Sequence, residues 1–372
     1  MLRGRAHEGG RMRVVAKIGT SSITDSRGAI DVSMVRSLCA QVAQLRTDGH
    51  QVLVVSSGAV AGGVAALALA SRPGDTATLQ ALSAVGQSRL MGHYDAALER
   101  HGLVGAQLLL VPNDFVDRAQ YLHARQTMLR LLELGCVPII NENDAIASDE
   151  IRFGDNDRIA ALVAHSVDAD VLVLLTDTDG LYTADPSVDS TATLVARVSA
   201  DDALMSVRAG ATASGVGSGG MASKLAAARI ASWSGVRTVI ANAKRAGVLA
   251  DAVADSPAVG TVFAAHDRDL TARKLWIAFA AQTAGSVVVD DGARTALVSR
   301  GVSLLHAGVA EVRGDFEPGD TIEVVGLDGT LVARGLARVE ARAAAAAAGK
   351  KSRDLPEGTP SELVHRDDLI VY

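Results

Sequence analysis

One alternation restricts this chain more than anything else in it. From Met12 to Phe263, short β-branched runs are separated by longer segments with helical spacing. Strands that are apolar along their whole length are buried on both faces, and the helices between them are the crossovers a parallel sheet requires. Arg13 to Ile18, Gln51 to Val55, Ala106 to Val111, Val137 to Asn141, Val171 to Leu175 and Val236 to Ala241 read as the strands. Between the first two, Asp31 reads as the N-cap of a helix with apolar positions Val35, Leu38, Val42 and Leu45 and with Gly49 past its end. Arg118 to Leu134, closed by Gly135, reads as a second crossover. The expected architecture over 12–265 is an α/β three-layer αβα sandwich with a mostly parallel sheet.

From residue 266 to 372 the texture changes. Ser286 to Asp290, Val309 to Val312, Thr321 to Val325 and Leu331 to Val339 are strand-like and separated by Asp-Gly, Pro-Gly and Gly-rich turns, which predicts a small antiparallel β-domain. Ala343 to Ala348 reads as either a loop or a helical turn. Residues 1–11, ahead of Met12, read as a disordered extension.

Composition excludes several classes. Hydrophobic residues make up 48% with only 3% aromatic, the balance of helix-on-sheet layers rather than of a disordered chain. A net charge of −6 gives no electrostatic reason for a polyanionic partner, so a small substrate fits better. Cys39 and Cys136 are far apart and form no CxxC pair, which argues against a disulfide framework or a zinc site and for buried, reduced thiols. No apolar run approaches the roughly 18 residues of a membrane span, and no apolar segment follows the basic N-terminus, so a cytoplasmic location is expected.

Polar or glycine-rich clusters fall at or near the ends of predicted strands, where open α/β sheets bind ligands. Lys17-Ile18-Gly19-Thr20-Ser21 puts an ammonium at the tip of an apolar strand. Ser56-Ser57-Gly58-Ala59 offers hydroxyls and backbone N–H groups at a helix start, suited to an anion or serving as a plain cap. Asn141-Glu142-Asn143-Asp144 and Phe153-Gly154-Asp155-Asn156-Asp157 are dense acidic-amide clusters that suit a cationic ligand or magnesium-bound phosphates. Thr176-Asp177-Thr178-Asp179-Gly180 lacks the glutamate of a calcium loop. Gly217-Ser218-Gly219-Gly220-Met221-Ala222-Ser223-Lys224 opens an alanine-rich helix, with glycines that free backbone N–H groups for phosphate oxygens and a lysine one turn in. Neither a Walker A loop nor a Gly-x-Gly-x-x-Gly after the first strand is present.

What remains is a phosphate-handling site with Lys17 and Lys224 at its two ends and carboxylates between. An acceptor carboxylate, with a pKa near ~4, is already ionised at neutral pH and needs no general base, so the lack of an obvious catalytic histidine is expected. Lys17 and Lys224 neutralise the transferring group in this reading, and Asp157 holds them in place.

Together these motifs, in order over nearly the whole chain, resemble the glutamate-phosphorylating branch of the amino-acid kinase family, and the tail resembles a PUA domain, a small β-barrel module. The resemblance implies ATP-dependent phosphorylation of the γ-carboxylate of L-glutamate to L-glutamyl 5-phosphate, the first step of proline biosynthesis. Proline would be the feedback inhibitor and the protein a homo-oligomer. It implies that Lys17, Thr176, Asp177 and the run Ser218, Gly219, Gly220, Met221, Ala222, Ser223 and Lys224 contact ATP. Ser57, Asp144 and Asn156 would contact glutamate, and Mg2+ would be carried mainly by the nucleotide phosphates. Relatives acting on N-acetylglutamate, aspartate or a nucleoside monophosphate stay open, as does a degenerate, RNA-binding kinase fold. Against RNA stands the tail itself, with 13 Lys and Arg against 16 Asp and Glu over 266–372.

Overall fold

The computed structural model describes residues 10–372 apart from 116, 147–155, 187, 201, 203–204, 206–218, 267–271, 276, 279–282 and 357. The chain divides into two compact units, Met1–Asp269 and Leu270–Tyr372, each described by itself.

In the first unit the strands are β1 (Arg13–Ile18), β2 (Gln51–Val55), β3 (Gly105–Leu110), β4 (Val137–Glu142), β5 (Val171–Thr176), β6 (Arg197–Val198), β7 (Arg237–Asn242) and β8 (Thr261–Phe263). The helices are α1 (Thr20–Ile23), α2 (Val32–Thr47), α3 (Ala59–Ala66), α4 (Thr76–Glu99), α5 (Arg118–Glu133), α6 (Asn156–Ser166), α7 (Gly219–Trp233) and α8 (Val248–Val253). All eight strands form one sheet in the order β3-β4-β2-β1-β5-β7-β8-β6. It is parallel from β3 through β7, and only the β7–β8 pair is antiparallel.

Side-chain alternation explains the layers. Val14, Ala16 and Ile18 of β1 join α2, α4 and α8 in a core with Val35, Leu38, Val42, Leu45, Leu90 and Leu249. Val15 and Lys17 point to the other face, which α6 and α7 cover. Both faces are therefore buried, and this is why the strand sequences are uniformly apolar. Asp31 caps α2 as its position predicts, accepting from the N–H groups of Ser33 and Met34, and Gly49 beyond the helix has φ +90°.

Helices α3 and α4 cross in near-contact. A Cβ on Gly63 would collide with the carbonyl of Leu82, and one on Gly86 with the carbonyl of Ala59. Glycine at both positions lets the two backbones meet. This contact sets α4 against the loop that follows β2.

In the second unit, β9 (Thr283–Val289), β11 (Val309–Gly314), β12 (Thr321–Gly326), β13 (Leu331–Leu336) and β15 (Leu369–Val371) form a sheet in the order β11-β9-β12-β13-β15, with a separate pair of β10 (Leu304–Leu305) and β14 (Glu362–Val364). Its core is built from Val287, Val289, Leu304, Phe316, Ile322, Val324, Leu363 and Val364. Two details differ from the sequence reading, and a third settles what it left open. The β9–β12 pair is parallel inside an otherwise antiparallel sheet. Asp291–Arg300, opening on an Asp-Gly pair of the kind expected in a turn, is a helix capped by Asp290. The alanine run is helical over Ala341–Ala347, with Ala341, Ala344 and Ala347 buried.

Cys39 is buried, and burial pushes its thiol up to about 12. Cys136 is only half-buried, which corrects the expectation that both are core thiols. Residues 1–9 of the expected N-terminal extension lie outside the described residues.

Candidate active site

β1 is the point at which the sheet changes direction. The chain passes from β1 to β2 on one side, and β5 pairs with β1 on the other. Loops leaving the carboxyl ends of such neighbours diverge and open a crevice there. Lys17 sits at that end of β1.

Lys17, Asp157 and Lys224 come together from three separate elements, β1, α6 and α7. The Lys17 ammonium lies 2.6 Å from Asp157 Oδ1, an ion pair, and Lys224 Nζ donates to Oδ2 at 3.3 Å. Ser223 Oγ donates to the same Oδ2 at 2.7 Å. All three charged residues are at most 8% exposed. Burial alone would raise the Asp157 carboxyl. The charges of Lys17 and Lys224 and the hydroxyl of Ser223 outweigh it and hold the group below the usual carboxylate range. Two ammonium groups on one carboxylate leave a net positive charge, the sign needed to receive a phosphoryl group.

A second network lies beside the first. Asn156 Nδ2 donates to Ser57 Oγ and to Asn141 Oδ1, each at 3.0 Å. The backbone N–H of Glu142 donates to Asn156 Oδ1 at 3.1 Å and to Asn141 Oδ1 at 2.9 Å. Ser57 precedes Gly58, whose φ of +103° turns the chain sharply from β2 into α3. Asp144, buried at the end of this segment, accepts from Ser83 Oγ of α4 at 2.9 Å. Burial pushes its carboxyl above the usual range, against the opposing pull of the Ser83 hydroxyl and the charge of Arg72. A desolvated carboxylate of this kind is suited to an ammonium.

The carboxyl ends of β5 and β7 form a third group. Thr176 is buried, its Oγ1 donates to Asp177 Oδ1 at 3.1 Å, and its carbonyl accepts from the N–H of Ala243 at 2.8 Å. Asn242 Nδ2 donates to Asp179 Oδ1 at 2.9 Å. Gly219, Gly220, Met221 and Ala222 form the first turn of α7, whose leading N–H groups lack intrahelical acceptors. Lys224 Nζ and Ser223 Oγ both reach back to the carbonyl of Gly220.

Of the residues expected at the site, Lys17, Asp157, Ser223 and Lys224 share one cluster, and Ser57 and Asn156 share another. Thr176 and Asp177 lie at the end of β5 as anticipated. Ser218, with Gly217 before it, and Phe153 to Asp155 lie outside the described residues. Ser83 and Gln87 were not anticipated. They stand one turn apart on α4, a long helix whose position in the chain does not follow a strand end. Their one legible sign is two polar residues at i and i+4 on the stripe of Leu79, Leu82, Gly86 and Leu90.

Residues 12–242 match the model of the amino acid kinase family, and 285–359 match that of the PUA domain. A glutamate 5-kinase of Thermobifida fusca is 47% identical, over 96% of this chain and 93% of its own. Proteins of the same name from Nitrosomonas eutropha (45% identical, 96% and 97% covered) and Frankia casuarinae (47%, 96% and 96%) are similarly close.

Proposed function

The chain belongs to the amino acid kinase family, and from that premise we propose that it transfers the γ-phosphoryl group of ATP to the γ-carboxylate of L-glutamate, giving L-glutamyl 5-phosphate and ADP. The observation that carries the chemistry is Asp157 held between Lys17 and Lys224 at the switch point of the sheet. ATP supplies the phosphoryl group, and Mg2+ carried on the nucleotide would neutralise part of its phosphate charge. Asp157 is already committed to two ammonium groups and is a poor metal ligand, which agrees with a metal that arrives on the nucleotide.

Lys17 and Lys224 stand where charge develops on the transferring group, and neutralisation there is most of what such a reaction asks of a protein. Asp157 positions both. The first turn of α7, with Gly219 to Ser223 and Ser218 before it, holds the phosphates through backbone N–H groups, while Thr176 and Asp177 border the nucleotide. Asp144 pairs with the α-ammonium of the amino acid, and Ser57 and Asn156 contact it beside the reacting carboxylate. An N-acetylated substrate would bring no ammonium to offset the burial of the Asp144 carboxylate, which favours free glutamate. The nucleophile is ionised from the outset. Its oxygen forms the new bond to phosphorus as the bond to ADP breaks, and no proton has to be removed.

Proline as feedback inhibitor, a homo-oligomeric state and a cytoplasmic location belong to the same reading. Among the described residues no helix is long and apolar enough to cross a membrane. ADP release across a panel of amino acids, with and without proline, tests the reading. Glutamate is the expected substrate, its product trapped by hydroxylamine as an acyl phosphate, and proline lowers the rate. Turnover with N-acetylglutamate or a nucleoside monophosphate in its place would overturn it.

A further inference from the structure

Behind Ser57 and Asn156, a row of amides runs through the protein, and its direction is fixed by a group that cannot reverse. The backbone N–H of Glu142 can only donate, and it is shared between Oδ1 of Asn141 and Oδ1 of Asn156. Both amides must present oxygen to it. Asn156 therefore turns its NH2 to Ser57 Oγ and Asn141 Oδ1. Asn141 turns its own NH2 outward and donates at 2.9 Å to Gln87 Oε1. Gln87, with its oxygen so engaged, donates from Nε2 at 3.2 Å to Gln107 Oε1 on the edge strand β3. Asn141, Asn156 and Gln87 are all buried, so each unmet donor or acceptor would go without water.

This order has a chemical result at its inner end. Ser57 Oγ accepts from Asn156, which leaves the hydroxyl proton of Ser57 to be donated elsewhere. A hydroxyl whose proton is free to be donated suits a carboxylate. Reversal of the row would place two NH2 groups against the Glu142 N–H and turn Ser57 into the donor toward Asn156.

We propose that Gln87 is a positioning residue for the amino-acid substrate. By accepting from Asn141 it holds the Asn141–Asn156 pair in the one orientation that leaves the Ser57 hydroxyl as a donor to a substrate carboxylate. The inference rests on the reading of Ser57 and Asn156 as substrate contacts given above. Gln87 itself stands behind Asn141 and acts through it.

The test uses the full-length protein and separates the two substrates. Gln87→Met keeps the length of the side chain and removes the acceptor, so KM for glutamate should rise roughly tenfold while KM for ATP stays within about twofold. Gln87→Glu retains an acceptor for Asn141 and should return KM for glutamate to within about threefold of the parent. A purely structural role predicts a different result, with both KM values moving together in both variants. That result, or an unchanged KM for glutamate in Gln87→Met, overturns the proposal. Where Gln87→Met melts too low to assay, Gln87→Glu decides, since a rise beyond about tenfold in KM for glutamate contradicts the need for an acceptor alone. A parent protein that releases no ADP with glutamate overturns the proposed function as well. A parent that does, with a Gln87→Met variant indifferent to glutamate, overturns this inference only.

Discussion

Asn156 and Asp157 are consecutive on the first turn of α6, yet their side chains serve two different networks: Asn156 bonds Ser57 and Asn141, while Asp157 bonds Lys17, Ser223 and Lys224. Successive helical residues point roughly 100° apart, so one helix turn can wall two adjoining compartments. The start of α6 thus ties the phosphate half of the site to the amino-acid half. Displacing this turn should disturb both substrates together, whereas a change confined to one side chain should disturb one.

Asp157→Asn keeps the shape and removes the charge. Lys17 and Lys224 are then left facing each other across a neutral amide, in a site from which water is largely excluded. We expect turnover to fall by about 10²-fold or more, with KM for glutamate changed far less. Steady-state kinetics with each substrate varied in turn measures this. The same carboxyl has a pH signature. Its pKa in the folded protein lies below that of the unfolded chain, so its contribution to stability is present above the ordinary carboxylate range and is lost as pH falls through the depressed value. Melting temperatures of parent and Asp157→Asn should therefore converge only in acid, below the usual range of an aspartate.

Asp144 carries the opposite sign. Its pKa is raised on folding, so between the unfolded and folded values the folded protein binds the extra proton, and stability falls as pH rises through that interval. At neutral pH the ionised group is a burden that a bound ammonium relieves. Asp144→Asn should consequently melt higher than the parent by about 2–4 °C, while KM for glutamate rises at least tenfold and KM for ATP does not move. The acid limb of kcat/KM for glutamate should also lie above the ordinary range of an aspartate. A variant that melts lower at neutral pH would show that Asp144 is held for structure.

Sequence made β1 and its lysine legible because an ammonium at the end of Val14, Val15, Ala16 and Ile18 conflicts with the burial of everything before it. The same conflict marked Asn141 at the end of β4 and Thr176 at the end of β5. Ser83 and Gln87 produce no such conflict, since α4 mixes polar and apolar residues all round and only the crossing with α3 decides which of them are buried. In the tail, Asp290, Asp291 and Gly292 have the composition of a turn, and the helix they begin is recognisable only from Asp290 accepting the N–H of Ala293. The parallel pairing of β9 with β12 is a long-range choice that local spacing does not encode.

The glycine contact between α3 and α4 has a cost if altered. Gly86→Ala would drive a methyl into the carbonyl of Ala59 and push α4 away from α3. Overpacking of this kind costs about 1–3 kcal/mol, so the melting temperature should drop by several degrees. Because Ser83 and Gln87 flank Gly86, the displacement reaches Asp144 and Asn141, and KM for glutamate should rise more than KM for ATP. Gly92, on the same helix, has open space where a Cβ would stand, and Gly92→Ala should change neither quantity appreciably.

Lys224→Met removes one of the two charges on Asp157 while keeping the length of the side chain. Turnover should fall by about 10²–10³-fold, the scale seen when one preorganised donor to a transition state is lost, and the protein should stay folded because Lys17 still neutralises Asp157. Near-normal turnover would take Lys224 out of the chemistry. Combining the change with Asp157→Asn asks a sharper question. If Asp157 acts only by holding the lysines, its own replacement has less left to damage once Lys224 is gone, and the double variant should be far better than the product of the two single losses. Independent losses that multiply would mean that Asp157 touches the reacting groups itself and is more than a clamp for Lys17 and Lys224.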